Sequence, residues 1–181
     1  MKEYFLKPQV PQDKAIENIQ DHLQNWISKW FDGKNKLTSI ELVYLPYSIF
    51  PYQLQSRSIK ESIQGFIGIE TYGKHSVILP VDQETVELTP DISVLPIGEE
   101  IEEKLAYDAI YGEAFIKEKR RSSIQLEMGK PFLLYVPYWV GYLKGKETDI
   151  LVVDGLSGNI DVKLKDSVMK AFLTEARLLK T

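Results

Sequence analysis

Aromatic side chains form the clearest chemical pattern in the sequence, because the word Tyr-x-Pro-Tyr occurs twice, at residues 44–47 and 135–138. Aromatic rings can line a groove for a peptide or another flat apolar ligand, and a tyrosine hydroxyl adds a polar contact. The alternative is that the same rings pack the core of a sheet, with their hydroxyls at its rim. Both interpretations concern one set of candidate binding residues: Tyr44, Tyr47, Tyr135, Tyr138, Trp139 and Tyr142.

Titratable side chains give weaker support for catalysis. The chain has no cysteine, which excludes thiolate catalysis, disulfides and Cys-based metal sites. His22 has no nucleophile nearby in the sequence, and His75 sits beside a hairpin turn; both fit partly exposed, satisfied histidines. Asp108 and Glu113 flank Tyr111, and paired carboxylates can act as acid and base. We predict no catalytic residue, no metal site and no cofactor, because Walker, nucleophile-elbow and zinc motifs are missing.

Charged residues form two local clusters. The acidic stretch 99–103 fits the solvated first turn of a helix, where the helix dipole favours negative charge, as well as it fits a cation site. The basic run 117–121 is a solvated connection or an anion site. The net charge of −4 lacks the basic excess of a general nucleic-acid binder.

Hydrophobic periodicity predicts an α+β protein. Apolar residues recur at three-to-four spacing in three segments, which predicts helices at about 12–31, from 99 towards 121, and after an Asp166 cap. Between them, β-prone runs punctuated by proline and glycine predict antiparallel strands. These strands are expected at 37–50, 65–72, 75–81, 131–142 and 149–154.

The two halves of the chain repeat one order of elements. In each, a helix precedes the Tyr-x-Pro-Tyr strand, and a hairpin ending in Val-Asp follows it, at 81–82 and 153–154. We therefore predict two pseudo-repeated helix plus antiparallel-sheet units, 1–92 and 93–181, the second with a C-terminal helix. They form one continuous sheet or two packed modules, and one compact domain is an alternative. Pro46 and Pro137 cannot donate ladder hydrogen bonds, so we expect them at edges or bends.

The closing hairpin of the second half combines Val153-Asp154, Gly158 and the apolar Ile160. With these features, residues 142–160 resemble the closing hairpin of PepSY-like modules, which are small helix-plus-antiparallel-sheet domains of bacterial proteins. The resemblance implies a non-catalytic regulatory or binding module of a bacterial cell and assigns no functional residue. Such modules are usually exported or membrane-attached, whereas this N-terminus has no apolar segment of signal-peptide length.

The sequence thus favours a non-catalytic protein-interaction or regulatory module. Its expected partners are a second copy of the chain, as a homo-oligomer, or another cytoplasmic protein. We expect neither nucleic acid nor a membrane as a partner, and a cytoplasmic location. The alternative is a small-molecule or peptide binder that uses the aromatic side chains between the repeats. A carboxylate-based enzyme is the third hypothesis.

Overall fold

The computed structural model describes residues 3–30, 35–56, 62–79, 85–86, 93–117, 124–145 and 147–180. In chain order, the elements of this part are β1 (Glu3–Leu6), α1 (Gln12–Trp30), β2 (Lys36–Ser56), β3 (Ile63–Glu70), β4 (Ser76–Leu79), β5 (Thr85–Val86), β6 (Ser93–Val94), α2 (Glu103–Lys117), β7 (Ile124–Met128), β8 (Phe132–Lys144), β9 (Thr148–Asp154) and α3 (Lys165–Leu178). All the strands belong to one mixed sheet, and the helices pack on its faces. The expected α+β class is confirmed.

The helix starts differ from the sequence expectation at two places. α2 begins at Glu103 rather than near residue 99, because Glu99 donates its backbone N–H to the Thr71 carbonyl, at 2.9 Å. α3 begins at Lys165, and Asp161 rather than Asp166 caps the preceding turn by accepting two backbone N–H groups.

The two Tyr-x-Pro-Tyr segments pair with each other at the centre of the sheet. They lie in β2 and β8, the two longest strands, which run antiparallel. Leu45 lies opposite Val136, so the middle of one word faces the middle of the other. Tyr44 therefore faces Pro137, and Pro46 faces Tyr135.

The prolines lie inside central strands, not at the sheet edge or bend that we expected. On the side of β2 that faces away from β8, β6 pairs with Val43 and Tyr44, and the pairing with β3 begins at Tyr47. Pro46 occupies the gap between these two partners, where its missing N–H costs no ladder hydrogen bond. On β8, the change of partner from β1 to β9 falls at Pro137.

Residues 70–75 form a turn between β3 and β4. The Glu70 N–H donates to the His75 carbonyl at 3.0 Å, and the Lys74 N–H donates to the Glu70 carbonyl at 3.1 Å. Lys74 has the left-handed backbone conformation, with φ of 59°. The Thr71 N–H donates to the Pro46 carbonyl at 3.3 Å, which ties the turn to β2.

The turn after β9 makes the same backbone hydrogen bonds. The Asp154 N–H donates to Asn159 at 2.9 Å, and the Gly158 N–H donates to Asp154 at 2.8 Å. Gly158 is left-handed, with φ of 80°, and the Gly155 N–H donates to the Pro137 carbonyl at 3.0 Å. Asp154 therefore matches Glu70 in position; the Val-Asp pair at 81–82, which the sequence matched to it, lies outside the described residues.

The segment that leads into each long helix docks on the other half of the chain. β1 pairs parallel with β8, and the Gln9 and Val10 N–H groups donate to the Gly155 carbonyl. In the same way, β6 pairs parallel with β2, and the Glu99 N–H donates to the Thr71 carbonyl. The two halves are joined by this reciprocal docking as well as by the central strand pair.

Helices cover both faces of the central strands. Leu45, Tyr47, Val136 and Tyr138 point to one face, where α3 closes the largest core cluster. On the other face, α1 packs over the end of β8 and β9, and α2 packs over β2 and β3. The second apolar face of β8 is thus covered by α1 at Trp139 and Leu143, whereas Leu133 and Tyr135 on that face pack with Phe5 and Tyr44.

Candidate functional site

Tyr47 and Tyr138 are brought together by the pairing of β2 and β8. Their hydroxyl oxygens lie 2.8 Å apart in a shared hydrogen bond, and both side chains are buried. Burial raises the pKa of both tyrosines far above the ordinary value. In this bond one hydroxyl donates and the other accepts, so both buried hydroxyls have a partner in the apolar core.

Tyr44 and Tyr135 lie on the opposite face, around Phe5. The Phe5 ring stacks on Tyr135 with centroids 4.5 Å apart and meets Tyr44 edge-on at 5.7 Å. The Tyr44 hydroxyl donates to the Leu6 carbonyl at 3.2 Å, and burial raises its pKa. β1 supplies both contacts, so these two rings anchor the lead-in segment.

Trp139 and Tyr142 are half-buried, at separate positions. The Trp139 Nε1–H donates to the Val10 carbonyl at 2.8 Å, beneath α1. The Tyr142 hydroxyl donates to Glu41, and burial together with this bond raises the pKa of Tyr142. The six aromatic residues are therefore divided between two faces of the sheet and are used for packing and for local hydrogen bonds.

The titratable candidates lie on separate elements. His22 is half-buried on α1, His75 is exposed after β3, and Asp108 is exposed on α2; the side chain of Glu113 lies outside the described set. In the part of the chain that the structure describes, no three His, Asp or Glu residues are grouped as metal ligands.

The charged clusters are only partly described. Glu99 forms an ion pair of 2.8 Å with Lys74, which lowers the pKa of Glu99 and raises that of Lys74. Lys117 ends α2, and the basic run from 118 to 121 falls outside the described residues.

A buried carboxylate, which sequence reasoning missed, connects the first half to α3. Glu70 is fully buried and accepts hydrogen bonds from the Tyr72 N–H at 2.5 Å, the Gly73 N–H at 2.6 Å and the Ser167 hydroxyl at 2.8 Å. The signal was present: a carboxylate closes an apolar strand and is followed by Gly73 three residues later, as in a side-chain-capped turn.

Glu70, Ser167 and His75 are residue types found in catalytic sites, but Glu70 and Ser167 are buried. A Cβ on Gly73 would lie 2.5 Å from Ser167 Oγ and 2.9 Å from His75 Nε2, so serine, histidine and glutamate are neighbours. The Ser167 hydroxyl donates a hydrogen bond to Glu70, which is how a serine is placed beside a general base. However, Ser167 is only 1% exposed and Glu70 is fully buried, so the bond serves to tie α3 to the turn after β3.

Two open grooves lie on the described surface. The first, called here the α3 groove, has a volume of about 450 Å³ and is lined by Thr71, Tyr72, Ile97, Gly98, Glu99, Lys170, Leu173, Thr174 and Arg177. The second, of about 340 Å³, is lined by Pro51, Tyr52, Gln53, Gln64, Gly65, Phe66, Glu127, Met128 and Gly129. The six aromatic candidates line neither groove.

α3 exposes two apolar side chains, one turn apart, beside the first groove. Met169 and Leu173 are 43% and 57% exposed, and Ile97, which lines the α3 groove, is 50% exposed. Leu179, just after the end of the helix, is 83% exposed. The opposite side of the helix is buried at Val168. α3 is thus apolar on its sheet side and on part of its solvent side, unlike an ordinary surface helix.

None of the described helices combines the length and the hydropathy that crossing a bilayer requires. Comparison of the chain with protein-family models, with curated proteins and with solved structures finds no match.

Proposed function

We propose that this chain is a non-catalytic protein-interaction module whose contact surface is the exposed side of α3. The observation that carries the proposal is the exposed apolar pair Met169 and Leu173, which lie one turn apart on α3. Apolar surface of this kind is a marker of protein–protein contact, because its burial against a partner contributes about 25 cal/mol per Å².

The chemistry of the described residues supports a non-catalytic role. The hydroxyls of Tyr47 and Tyr138 are buried and share one hydrogen bond, and Glu70 and Ser167 are buried as well. The PepSY-like pattern of residues 142–160, which implies a regulatory or binding role, agrees with this, and we place the protein in the cytoplasm of a bacterial cell as part of the proposal.

We also infer that the two halves derive from one duplicated unit. Its support is the matched hydrogen bonding of the two turns, the left-handed residue at the same place in each, and the reciprocal docking of β1 and β6. α3 follows the turn of the second half, whereas β4 follows that of the first. The proposed contact surface is therefore an addition to the duplicated part.

The test is a double variant of the α3 surface, Met169→Asp with Leu173→Asp. The unmodified protein is expected to self-associate, or to retain one protein in near-equal amount when it is purified from its native cells. The double variant is expected to lose that association while keeping its circular dichroism and melting temperature. Light scattering and quantitative mass spectrometry measure the two forms of association. A monomer whose retained proteins are unaffected by the double variant contradicts the proposal.

A further inference from the structure

We propose that the second groove binds one face of an amphipathic helix of a partner protein. This helix packs a large apolar side chain against Pro51 and Phe66, which line the groove. In the other half of the sheet, α3 covers the matching position, so the fold already contains a helix on a surface of this kind. The groove is a different surface from the exposed side of α3 and shares none of its residues.

Strand register identifies the matching positions. In the first half, Pro51 of β2 pairs with Phe66 of β3. In the second half, Tyr142 of β8 pairs with Ile150 of β9. Each of these pairs lies four residues along the strands from the carboxylate that begins the matched turn. The two pairs therefore occupy the same place in the sheet relative to the turns after β3 and β9.

α3 covers the pair in the second half. The ring of Phe172 lies beside that of Tyr142, with centroids 6.3 Å apart. Ile150 is only 4% exposed and belongs to the same core cluster as Val168 and Ala171 of α3. A helix that directs an aromatic side chain at the strand pair is thus the element that this position of the sheet accommodates.

The pair in the first half lies on the same face of the sheet but is open. Phe66 packs against the core cluster that α3 closes, whereas α2 covers the opposite face at Phe50 and Ile67. Pro51 and Phe66 are half-buried, and none of the residues that line the groove belongs to a described helix. The volume of about 340 Å³ falls within the range of about 300–1,000 Å³ typical of ligand pockets.

The groove is held in shape before a partner binds. The Phe66 ring meets Phe132 edge-on, with centroids 6.0 Å apart, and the Gly129 N–H donates to the Pro51 carbonyl at 2.8 Å. A Cβ on Gly129 would lie 3.1 Å from the Pro51 Cβ, so the glycine keeps this side of the proline accessible. A preformed surface lowers the ordering cost of binding.

The rim of the groove favours a basic partner helix. Gln53 of β2 pairs with Glu127 of β7, and both residues line the groove. At the matching position of the second half, Lys144 pairs with Lys36. The groove therefore has a carboxylate where the other half has two ammonium groups, and the whole chain carries a net charge of −4. A basic residue beside the inserted side chain suits this rim.

A separate protein suits the groove better than a helix of a second copy. The apolar side of each described helix is buried in its own core, at Ile19 in α1, Ala106 in α2 and Val168 in α3. Presenting any of these sides to another copy would require unfolding part of the donor chain.

The probe is a fluorescent synthetic peptide with the sequence of residues 163–180, which includes α3 and has a net positive charge. Titrated with the full chain and followed by anisotropy, it is expected to bind saturably. Its helical circular dichroism should rise on binding, because isolated helices of this length are marginal in water. In NMR spectra, the backbone amide signals of Gly65 and Gly129 in the groove should shift, and that of Gly155 should not.

Two peptide variants show which side of the helix binds. Phe172→Asp changes the side that packs on the sheet and is expected to weaken binding by about tenfold or more. Met169→Asp changes the side that is exposed in the intact chain and is expected to leave affinity unchanged. The reverse result would assign the groove to the exposed side of α3 in a second copy and overturn the proposal.

Variants of the full chain locate the contact. Phe66→Ala is expected to weaken peptide binding by about tenfold or more. The exposed Glu127→Lys leaves the core intact and is expected to weaken binding by about threefold, with a smaller dependence on salt. Glu147→Lys makes the same charge change at an exposed position between β8 and β9 and should have no effect.

No saturable binding, or NMR shifts around Tyr142 and Ile150 instead of the groove, would overturn the proposal, since the latter means exchange with the chain's own α3. Equal affinity in Glu127→Lys and Glu147→Lys would also count against it. The proposed function fails separately. If the peptide does not bind but the Met169→Asp, Leu173→Asp double variant still abolishes association of the intact protein, only the proposal on the second groove is wrong.

Discussion

The turns after β3 and β9 have the same backbone hydrogen bonds but differ in the carboxylate at their start. Asp154 is half-buried and accepts the Leu156 and Ser157 N–H groups within its own turn. Glu70 is fully buried and, besides two turn N–H groups, accepts the Ser167 hydroxyl from α3. One longer side chain thus turns a local cap into a link between the first half and a helix of the second half.

The two turns are expected to differ most in how much stability is lost when the carboxylate is removed. Glu70→Ala leaves two backbone N–H groups and the Ser167 hydroxyl without their acceptor, and we expect it to lower the free energy of unfolding by about 3 kcal/mol. Asp154→Ala removes two hydrogen bonds at a more exposed site and should lower the free energy of unfolding by about 1 kcal/mol. Urea unfolding of both variants measures the difference, and equal losses would show that burial does not distinguish the turns.

The tyrosine pair tests how strongly the two halves are joined at the sheet centre. Tyr47→Phe or Tyr138→Phe leaves the other hydroxyl buried without its partner, so each should cost about 1–2 kcal/mol. The double variant should cost less than the two single losses added, because no unpaired hydroxyl remains. Additive losses in a double-mutant cycle by urea unfolding would argue against a shared hydrogen bond.

Substitution of the left-handed residue is expected to change the stability of the protein in opposite directions in the two turns. Gly158→Ala places a side chain at φ of 80° and 3.0 Å from Asn18 Nδ2, so we expect a loss of about 1 kcal/mol. At the matched position, Lys74→Gly removes a side chain that makes the left-handed backbone unfavourable. The free energy of unfolding should therefore stay the same or rise slightly. Melting temperatures of the two variants are the readout, and a loss in Lys74→Gly as large as in Gly158→Ala would contradict the match.

The bond between Ser167 and Glu70 can be tested without removing the carboxylate. Ser167→Ala removes one donor to Glu70 and leaves the turn N–H groups in place, so a loss of about 1 kcal/mol is expected. Hydrogen exchange should show faster opening of α3 with little change at the turn after β9. Uniform faster exchange through both turns would mean that Ser167 supports the whole core rather than this link.

The sequence was informative wherever one periodicity dominated. Helix α1 was expected at about 12–31 and spans Gln12–Trp30, and alternation correctly separated Tyr135 from Tyr138 on the two faces of β8. It failed where tertiary contacts decide. A proline suggested a strand edge, but Pro46 is tolerated inside β2 because two partner strands meet beside it.

The site was harder to predict than the fold. The repeated Tyr-x-Pro-Tyr segment drew attention to six aromatic residues, four of which are buried. The sequence could not show this, because aromatic residues are favoured in strands as well as in binding sites. Glu70 was missed because its third partner, Ser167, is distant in sequence. The α3 groove was missed because Ile97 and Leu173 come from separate segments and meet only through the docking of residues 93–99.

The reciprocal docking of β1 and β6 has a consequence for synthesis on the ribosome. Glu3 pairs with Leu133 and Phe5 with Tyr135, so β1 cannot pair with β8 until most of the chain has been synthesised. Long-range pairings of this type slow folding, because a large loop must close before contact is gained. During that interval the nascent first half exposes an unpaired strand edge, and such edges are prone to aggregate until the partner strand is available.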